Sequence, residues 1–439
     1  MSIILLLDSP GLLCLVAMQH VIELPLPFSG PRRRQSALLD DLRAFKEFGQ
    51  KTAETEMPLG AGSGSVRVFI NEFWTAKQRQ ASSLQEISYR ACFKPQLPRF
   101  FIQRFTEPDA RVYDPFMGRG TTCVEAALLG RVPVGCDINP LSTILTRPRI
   151  QPPPLEEIET RIRQIDLWVS KESSDDLLVF YHPETLMQTT SLKKYLLARE
   201  SKGQLDAIDD WIRMVALNRL TGHSPGFFSV YTMPPNQAVS AKSQRKINER
   251  RKQTPPPRKV ADIILKKSRQ LLGDCDYPTR RMLAGVAGGM QFVTGDSSST
   301  PAIKSNSVSL VVTSPPFLDV VDYATDNWLR CWFLGIDAKQ VKLTVPKKLE
   351  HWQTAMTNTF RELHRVLKPG GHVAFEVGEV RRGTLRLEEV VLPCGMAAGL
   401  EPLAIVINSQ KFTKTANCWG VDNNTLGTNT NRIVVFRKA

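Results

Sequence analysis

Arg111-Val112-Tyr113-Asp114-Pro115-Phe116-Met117-Gly118-Arg119-Gly120-Thr121-Thr122 is the stretch on which the fold turns. Arg111 to Tyr113 reads as a short strand and Gly118 and Gly120 as a turn. Thr121 to Leu129 has helical spacing, and Val132 to Asp137 reads as a second strand. Strand, glycine turn, helix, strand is the opening of a doubly wound α/β sheet. A side chain on either glycine would block backbone approach to a ligand, and the helix start beyond them offers free N–H groups. The turn is not the dinucleotide fingerprint, because the third glycine is missing and Pro115-Phe116 takes its lead-in. Asp137 ends the second strand, about twenty residues on, where an acidic side chain accepts bonds from ribose hydroxyls. The same residue also suits the N-cap of a helix begun by Asn139-Pro140.

Outward from that core, strand text resumes at Met290–Asp296 and Ser309–Ser314, and again at 372–377, 402–408 and 432–437. A helix over 351–367 runs into the stop Lys368-Pro369-Gly370-Gly371. Between the two sets of strands, from Gln151-Pro152-Pro153-Pro154 to about 285, the chain is polar and patterned as helix. The expected organisation is an N-terminal extension over 1–65, a sheet domain split into 66–150 and 286–439, and an inserted, mainly helical lobe over 151–285. Gly60 to Val66 suits a loop or linker. The apolar start, Met1 to Ala17, is broken by Asp8 and Pro10 and lacks a basic lead. It is too short for a span and unlike a signal peptide, which leaves a buried strand or an extension upstream of a start at Met18.

Composition narrows the partners. Lys and Arg number 57 against 43 Asp and Glu, a formal charge of +14 with a pI near 9.5. Such an excess points to a polyanion, nucleic acid before others, and not to a membrane. The eight cysteines stand singly, with no Cys-x-x-Cys pair and no histidine set beside them. That spacing argues against a zinc site and a disulfide framework, and it fits a reducing cytoplasm and metal-free chemistry. Lys242, Arg245, Lys246, Arg250, Arg251 and Lys252 open a basic run that continues to Arg269 inside the expected lobe. A run of this kind suits phosphate contacts, which supply affinity more than sequence choice. It also suits a solvated helix.

Asp114 to Thr122, taken with Thr313-Ser314-Pro315-Pro316-Phe317, resembles the two signature motifs of the amino-methyltransferases of DNA. The likeness extends over roughly 90–150 and 286–439. It implies a Rossmann-like sheet, S-adenosyl-L-methionine as cofactor and an extruded base of double-stranded DNA as substrate. By this resemblance Asp114, Phe116, Gly118 and Gly120 line the methionine side, Asp137 holds the ribose, and Asp296 reaches the adenine amino group. Phe93 to Pro98 resembles the segment that closes over the methionine end.

Methyl transfer to an amine needs the amine held in line with its lone pair freed from the ring. Ser314 Oγ and the Pro315 carbonyl are acceptors for the two amino hydrogens, Pro315 and Pro316 stiffen the backbone, and Phe317 offers a face for the extruded base. Ser before Pro-Pro and Phe after it resembles the cytosine-N4 type, whereas adenine-N6 enzymes mostly carry Asp or Asn there. The order of the two motifs is better known among adenine-N6 enzymes, so that target is the alternative, ahead of an RNA base methyltransferase and of a DNA-binding protein without activity. Cytosine-C5 chemistry would use a cysteine after proline. Pro393-Cys394 stands instead inside a helical stretch, 388–399, and reads as core. A modification enzyme of this kind implies a restriction endonuclease acting on the same site.

Overall fold

The computed structural model describes residues 35–59, 64–75, 81–89, 92–170, 172, 174–233, 239–316, 323–337, 348–377, 379–380, 385–409 and 430–439. The readings at the apolar start and at Met18, and the stacking role read for Phe317, lie outside the described residues.

The chain begins with α1 (Gln35–Ala44), β1 (Ala53–Pro58) and β2 (Ser65–Asn71), then a 3₁₀ turn at Ser83–Gln85 and α2 (Gln96–Phe105). The decisive stretch follows as β3 (Arg111–Asp114), α3 (Thr121–Leu128), β4 (Val132–Asp137) and α4 (Leu141–Ile150). Next come α5 (Leu155–Gln164), α6 (Asp175–Leu178), α7 (Pro183–Ser201), α8 (Ala207–Leu217), α9 (Ala241–Arg251), α10 (Val260–Leu271) and α11 (Tyr277–Ala287). The second half holds β5 (Gln291–Thr294), β6 (Val308–Thr313), α12 (Tyr323–Leu334), α13 (Leu349–Val366) and β7 (Leu367–Val377). It ends with the short pair β8 (Glu379–Val380) and β9 (Leu385–Arg386), then α14 (Leu387–Ala397), β10 (Glu401–Ser409) and β11 (Thr430–Arg437).

Among the described residues nine strands form one sheet in the order β1-β2-β10-β11-β7-β6-β3-β4-β5. β5, β4, β3, β6 and β7 pair in parallel, and β11 enters antiparallel between β7 and β10. A parallel strand covered on both faces needs a run of apolar residues rather than an alternation. Val308, Leu310, Val311 and Val312 of β6 meet that need, each buried. From β3 the chain winds outward through β4 to β5, then returns to β6 on the other side of β3 and winds away through β7. The β3–β6 boundary is therefore the topological switch point, where the loops leaving the carboxyl ends part and open a crevice.

Each face of the sheet carries its own core. Trp352, Phe360, Phe375 and Phe436 lie with α13 and α14 on one side, and Phe69, Phe73, Phe100 and Phe101 lie with α1 and α2 on the other. α5 to α11 fall between β4 and β5, which nevertheless pair directly. Their apolar residues, Trp211, Phe180, Ile264 and Leu283 among them, form one continuous core with Val124, Leu141 and Leu145 of α3 and α4.

Three local readings change. Sheet pairing begins at Ala53, within the segment read as an extension, because β1 and β2 form a hairpin docked along β10. Of the stretch read as a loop or linker, Ser65 and Val66 belong to β2 and Gly64 O accepts the Leu59 N–H at 3.0 Å, while residues 60–63 lie outside the described residues. Lys368 to Gly371 ends α13 at Val366 but lies within β7, opposite a shift of register on β6. Cys394 is buried in α14, as read.

Candidate active site

The turn after β3 is built from its own backbone. Asp114 Oδ1 accepts the Phe116 N–H at 3.1 Å, Gly120 N–H reaches Met117 O at 2.7 Å, and Met117 N–H reaches Cys136 O at 3.0 Å. The glycines serve different ends. Gly120, at φ 77°, caps α3, and a Cβ there would overlap the Thr146 side chain of α4. Its smallness is required by helix packing against α4, a reason the sequence did not show. Gly118 has φ 53°, and a Cβ there would meet no atom closer than Tyr89 Cε1 at 3.6 Å. A Cβ at Gly118 would thus fit in ordinary contact with the Tyr89 ring, without overlap, and Phe116 beside it is half-buried.

Asp137 closes the turn from the end of β4. Its Oδ2 accepts the Gly118 N–H at 2.7 Å and its Oδ1 the Asn139 N–H at 2.9 Å. Burial raises its carboxyl above the ordinary range against those bonds. Asp137 thus caps the turn into α4, as one reading had it, and is tied to the glycine turn. Asp296, beyond β5, is exposed, with Oδ1 accepting the Ser298 N–H and hydroxyl, each at 2.8 Å.

β6 brings the second motif alongside the first. Thr313 donates its hydroxyl to Asp114 Oδ1 at 2.6 Å, and Thr122 donates to Val312 O at 3.0 Å. Asp114 is 1% exposed, and burial pushes its carboxyl up to about 7 while bonds from Thr313 and Phe116 hold it down. Ser314 is half-buried and Pro315 buried, and the Pro316 carbonyl accepts the Trp352 indole N–H at 3.1 Å. Ser314 follows β6 beside Glu376 of β7, one residue beyond the Thr313–Phe375 pair, and Glu376 Oε1 accepts the Asn431 amide of β11 at 3.1 Å. Burial raises the Glu376 carboxyl, against the pull of the neighbouring Ser314 and Asn431 side chains.

Asp114, Phe116, Gly118, Gly120, Asp137, Ser314, Pro315 and Pro316 therefore gather at the switch point, with Asp296 two strands away at the same edge. Glu376 was missed by the sequence reading. Its one signal was an acidic residue inside the apolar run His372 to Val377.

Lys242, Arg245, Lys246, Arg250 and Arg251 are exposed on α9, and Lys252 ends it in the left-handed region at φ 49°. Arg245 pairs with Asp176 at 2.8 Å, and the Arg251 guanidinium lies 3.7 Å from the centre of the Tyr231 ring. Gln244 to Tyr231 O at 3.1 Å and Asn248 to Val179 O at 2.7 Å fix the helix to the lobe. Within the run Lys266 and Arg269 are exposed on α10, whereas Lys267 is buried with its ammonium lowered to about 8 by burial and by Arg219. Among the described residues no helix is long and apolar enough to cross a membrane.

The family model described as "DNA methylase" matches residues 32–142, which hold β1 to β4 and the glycine turn. The type II methyltransferase M.BsoBI of Geobacillus stearothermophilus is 23% identical over 292 residues, 58% of this chain and 53% of that one. The type II methyltransferase M.MvaI of Kocuria varians is 32% identical over 97 residues, 21% of this chain and 20% of that one. The chain thus spans about half the length, or less, of these curated relatives. Among solved structures, TrmN from Thermus thermophilus superposes with a TM-score of 0.31 at 12% identity, covering 82% of this chain and 53% of that one. The glycine turn and its adjoining strands lie inside the matched segment, so over residues 32–142 the chain resembles the DNA methylase family.

Proposed function

We propose that this chain is an S-adenosylmethionine-dependent methyltransferase that modifies an exocyclic amine of a base in double-stranded DNA, with cytosine N4 as the target. The observation that carries the reading is the joining of the two motifs at the switch point, where Thr313 bonds to Asp114.

The backbone at Gly118, the carboxylate of Asp137 and the exposed carboxylate of Asp296 fit an adenosyl group with a methionine tail. Asp296 takes the adenine amino group, Asp137 the ribose, and Phe116 and Gly118 the methionine side. S-adenosylmethionine, when bound, supplies a methyl carbon on a sulfonium leaving group. Ser314 Oγ accepts one amino hydrogen of the target base and draws the amine from conjugation, which matters most as the nitrogen becomes pyramidal. Glu376, beside Ser314 on β7, is the group in this reading that takes the Ser314 proton, so the hydroxyl accepts from the amine and does not donate to it. Serine is neutral and short, which suits cytosine, whose ring nitrogen already withdraws density from N4. Adenine N6 is the second reading, favoured by the order of the motifs along the chain.

α9 supplies phosphate contacts from Lys242, Arg245, Lys246, Arg250, Arg251 and Lys252, and the lobe over 151–285 recognises the target. A site-specific enzyme of this kind protects DNA from a restriction endonuclease reading the same site, in line with the type II names of its relatives. Incubating duplex DNA with the purified chain and cofactor, then separating nucleosides by mass spectrometry, tests the reading. N4-methylcytosine is expected. N6-methyladenine would replace the target, 5-methylcytosine would overturn the mechanism, and unmodified DNA would overturn the activity.

A further inference from the structure

The segment from Ser83 to Tyr89 lies outside the sheet, yet it is gripped from several sides. Arg149 of α4 donates to Leu84 O at 3.2 Å. Arg119, in the glycine turn, donates to Gln85 O at 3.2 Å and Ile87 O at 2.7 Å, and its Nε reaches Thr121 Oγ1 at 3.0 Å. Asn218 of the inserted lobe accepts the Ser88 N–H at 2.8 Å, and Arg330 of α12 donates to Ser88 O at 3.4 Å. Both Arg119 and Arg149 are buried, and Arg149 also donates to Arg119 O. Burying two neighbouring guanidinium groups on backbone carbonyls is expensive unless the geometry they impose is used.

What they impose is the place of Tyr89. Its ring edge stands 3.6 Å from the point where a Cβ of Gly118 would project, and its hydroxyl accepts the Asn139 amide at 3.2 Å. Asn139 follows the carboxyl end of β4 and itself caps α4 through Leu141 N–H at 3.0 Å. Tyr89, half-buried, therefore spans from the glycine turn to the end of β4. An aromatic ring there offers contact area at little entropic cost.

We infer that Tyr89 forms a wall of the cofactor pocket and that Arg119 is the positioning residue that holds it there, an inference resting on the cofactor reading above. Arg119 belongs to the same turn as Gly118, so it fixes the wall relative to the very backbone that the ligand approaches.

Calorimetric titration of the full chain with S-adenosylmethionine tests this, with thermal melting of each variant to establish that it is folded. Tyr89→Ala should weaken binding about tenfold or more and raise KM for the cofactor with kcat largely kept. Tyr89→Phe should stay near the parent. Arg119→Met should weaken binding too, with Arg119→Lys partly restoring it, and the Tyr89→Ala/Arg119→Met double variant should be no weaker than Tyr89→Ala alone. Tyr89→Ala binding as the parent does, or additive losses in the double variant, would overturn the assignment while leaving the cofactor reading intact. A parent chain that binds no S-adenosylmethionine overturns the cofactor reading and the wall with it.

Discussion

The Thr313 hydroxyl donates to the Asp114 carboxylate across 2.6 Å, so the last residue of one central strand is hydrogen-bonded to the last residue of its neighbour. The bond spans the switch point and sets the glycine turn and the Ser-Pro-Pro turn in register. Asp114 is buried and its carboxyl is raised to about 7, so in the folded chain it holds a proton well above the pH at which the unfolded chain gives it up. The stabilisation from that proton is complete below about pH 4 and is lost as pH rises through 7. Asp114→Asn, neutral throughout, should therefore gain stability relative to the parent between pH 4 and 7.5. Paired melting curves across that range check it, and a constant difference would mean that Asp114 is ionised throughout.

Glu376 of β7 stands beside Ser314, the residue proposed to accept from the target amine. Glu376→Gln replaces an obligate acceptor by an amide that can donate, so the Ser314 proton is free to swing into the crevice. The expected result is a loss of about 10- to 100-fold in kcat with cofactor affinity nearly unchanged. Steady-state kinetics beside calorimetry separate the two quantities, and equal losses in both would return Glu376 to a purely structural role.

The glycines of the turn should fail in different ways. Gly120→Ala drives a methyl group into Thr146 and should cost roughly 1–3 kcal/mol of stability. Gly118→Val strains the backbone, at about 1–2 kcal/mol, and puts a side chain on the face proposed for the ligand, so cofactor binding should fall further than stability does. Melting temperatures and titrations of both variants settle it. Unimpaired binding in Gly118→Val would mean that the ligand does not approach there.

α9 carries the prediction for DNA. Replacing Arg250, Arg251 and Lys252 together by Gln should weaken specific and non-specific duplexes alike. Each lost phosphate contact should flatten the slope of log affinity against log salt by roughly one. Fluorescence anisotropy at several salt concentrations measures that slope, and an unchanged slope would make these residues a solvated surface.

The amino-acid sequence alone determined the elements whose cause is local. Arg111 to Asp137 is strand, turn, helix and strand because apolar spacing and glycine positions act within a few residues of one another. β6 was legible for the same reason, as were Ser314 and the two prolines that end it. Tertiary structure decided what depends on residues far apart in the chain. Glu376 stands beside Ser314 because β7 pairs beside β6, and nothing in the run His372 to Val377 announces that neighbour. Gly120 is needed for the packing of Thr146, a contact absent until α3 and α4 meet. β1 and β2 join the sheet through β10, and the inserted helices share a core with α3 and α4 rather than forming a body of their own. Local propensity acts over a turn or two of chain, whereas burial and cross-strand bonding depend on which surfaces the finished sheet brings together.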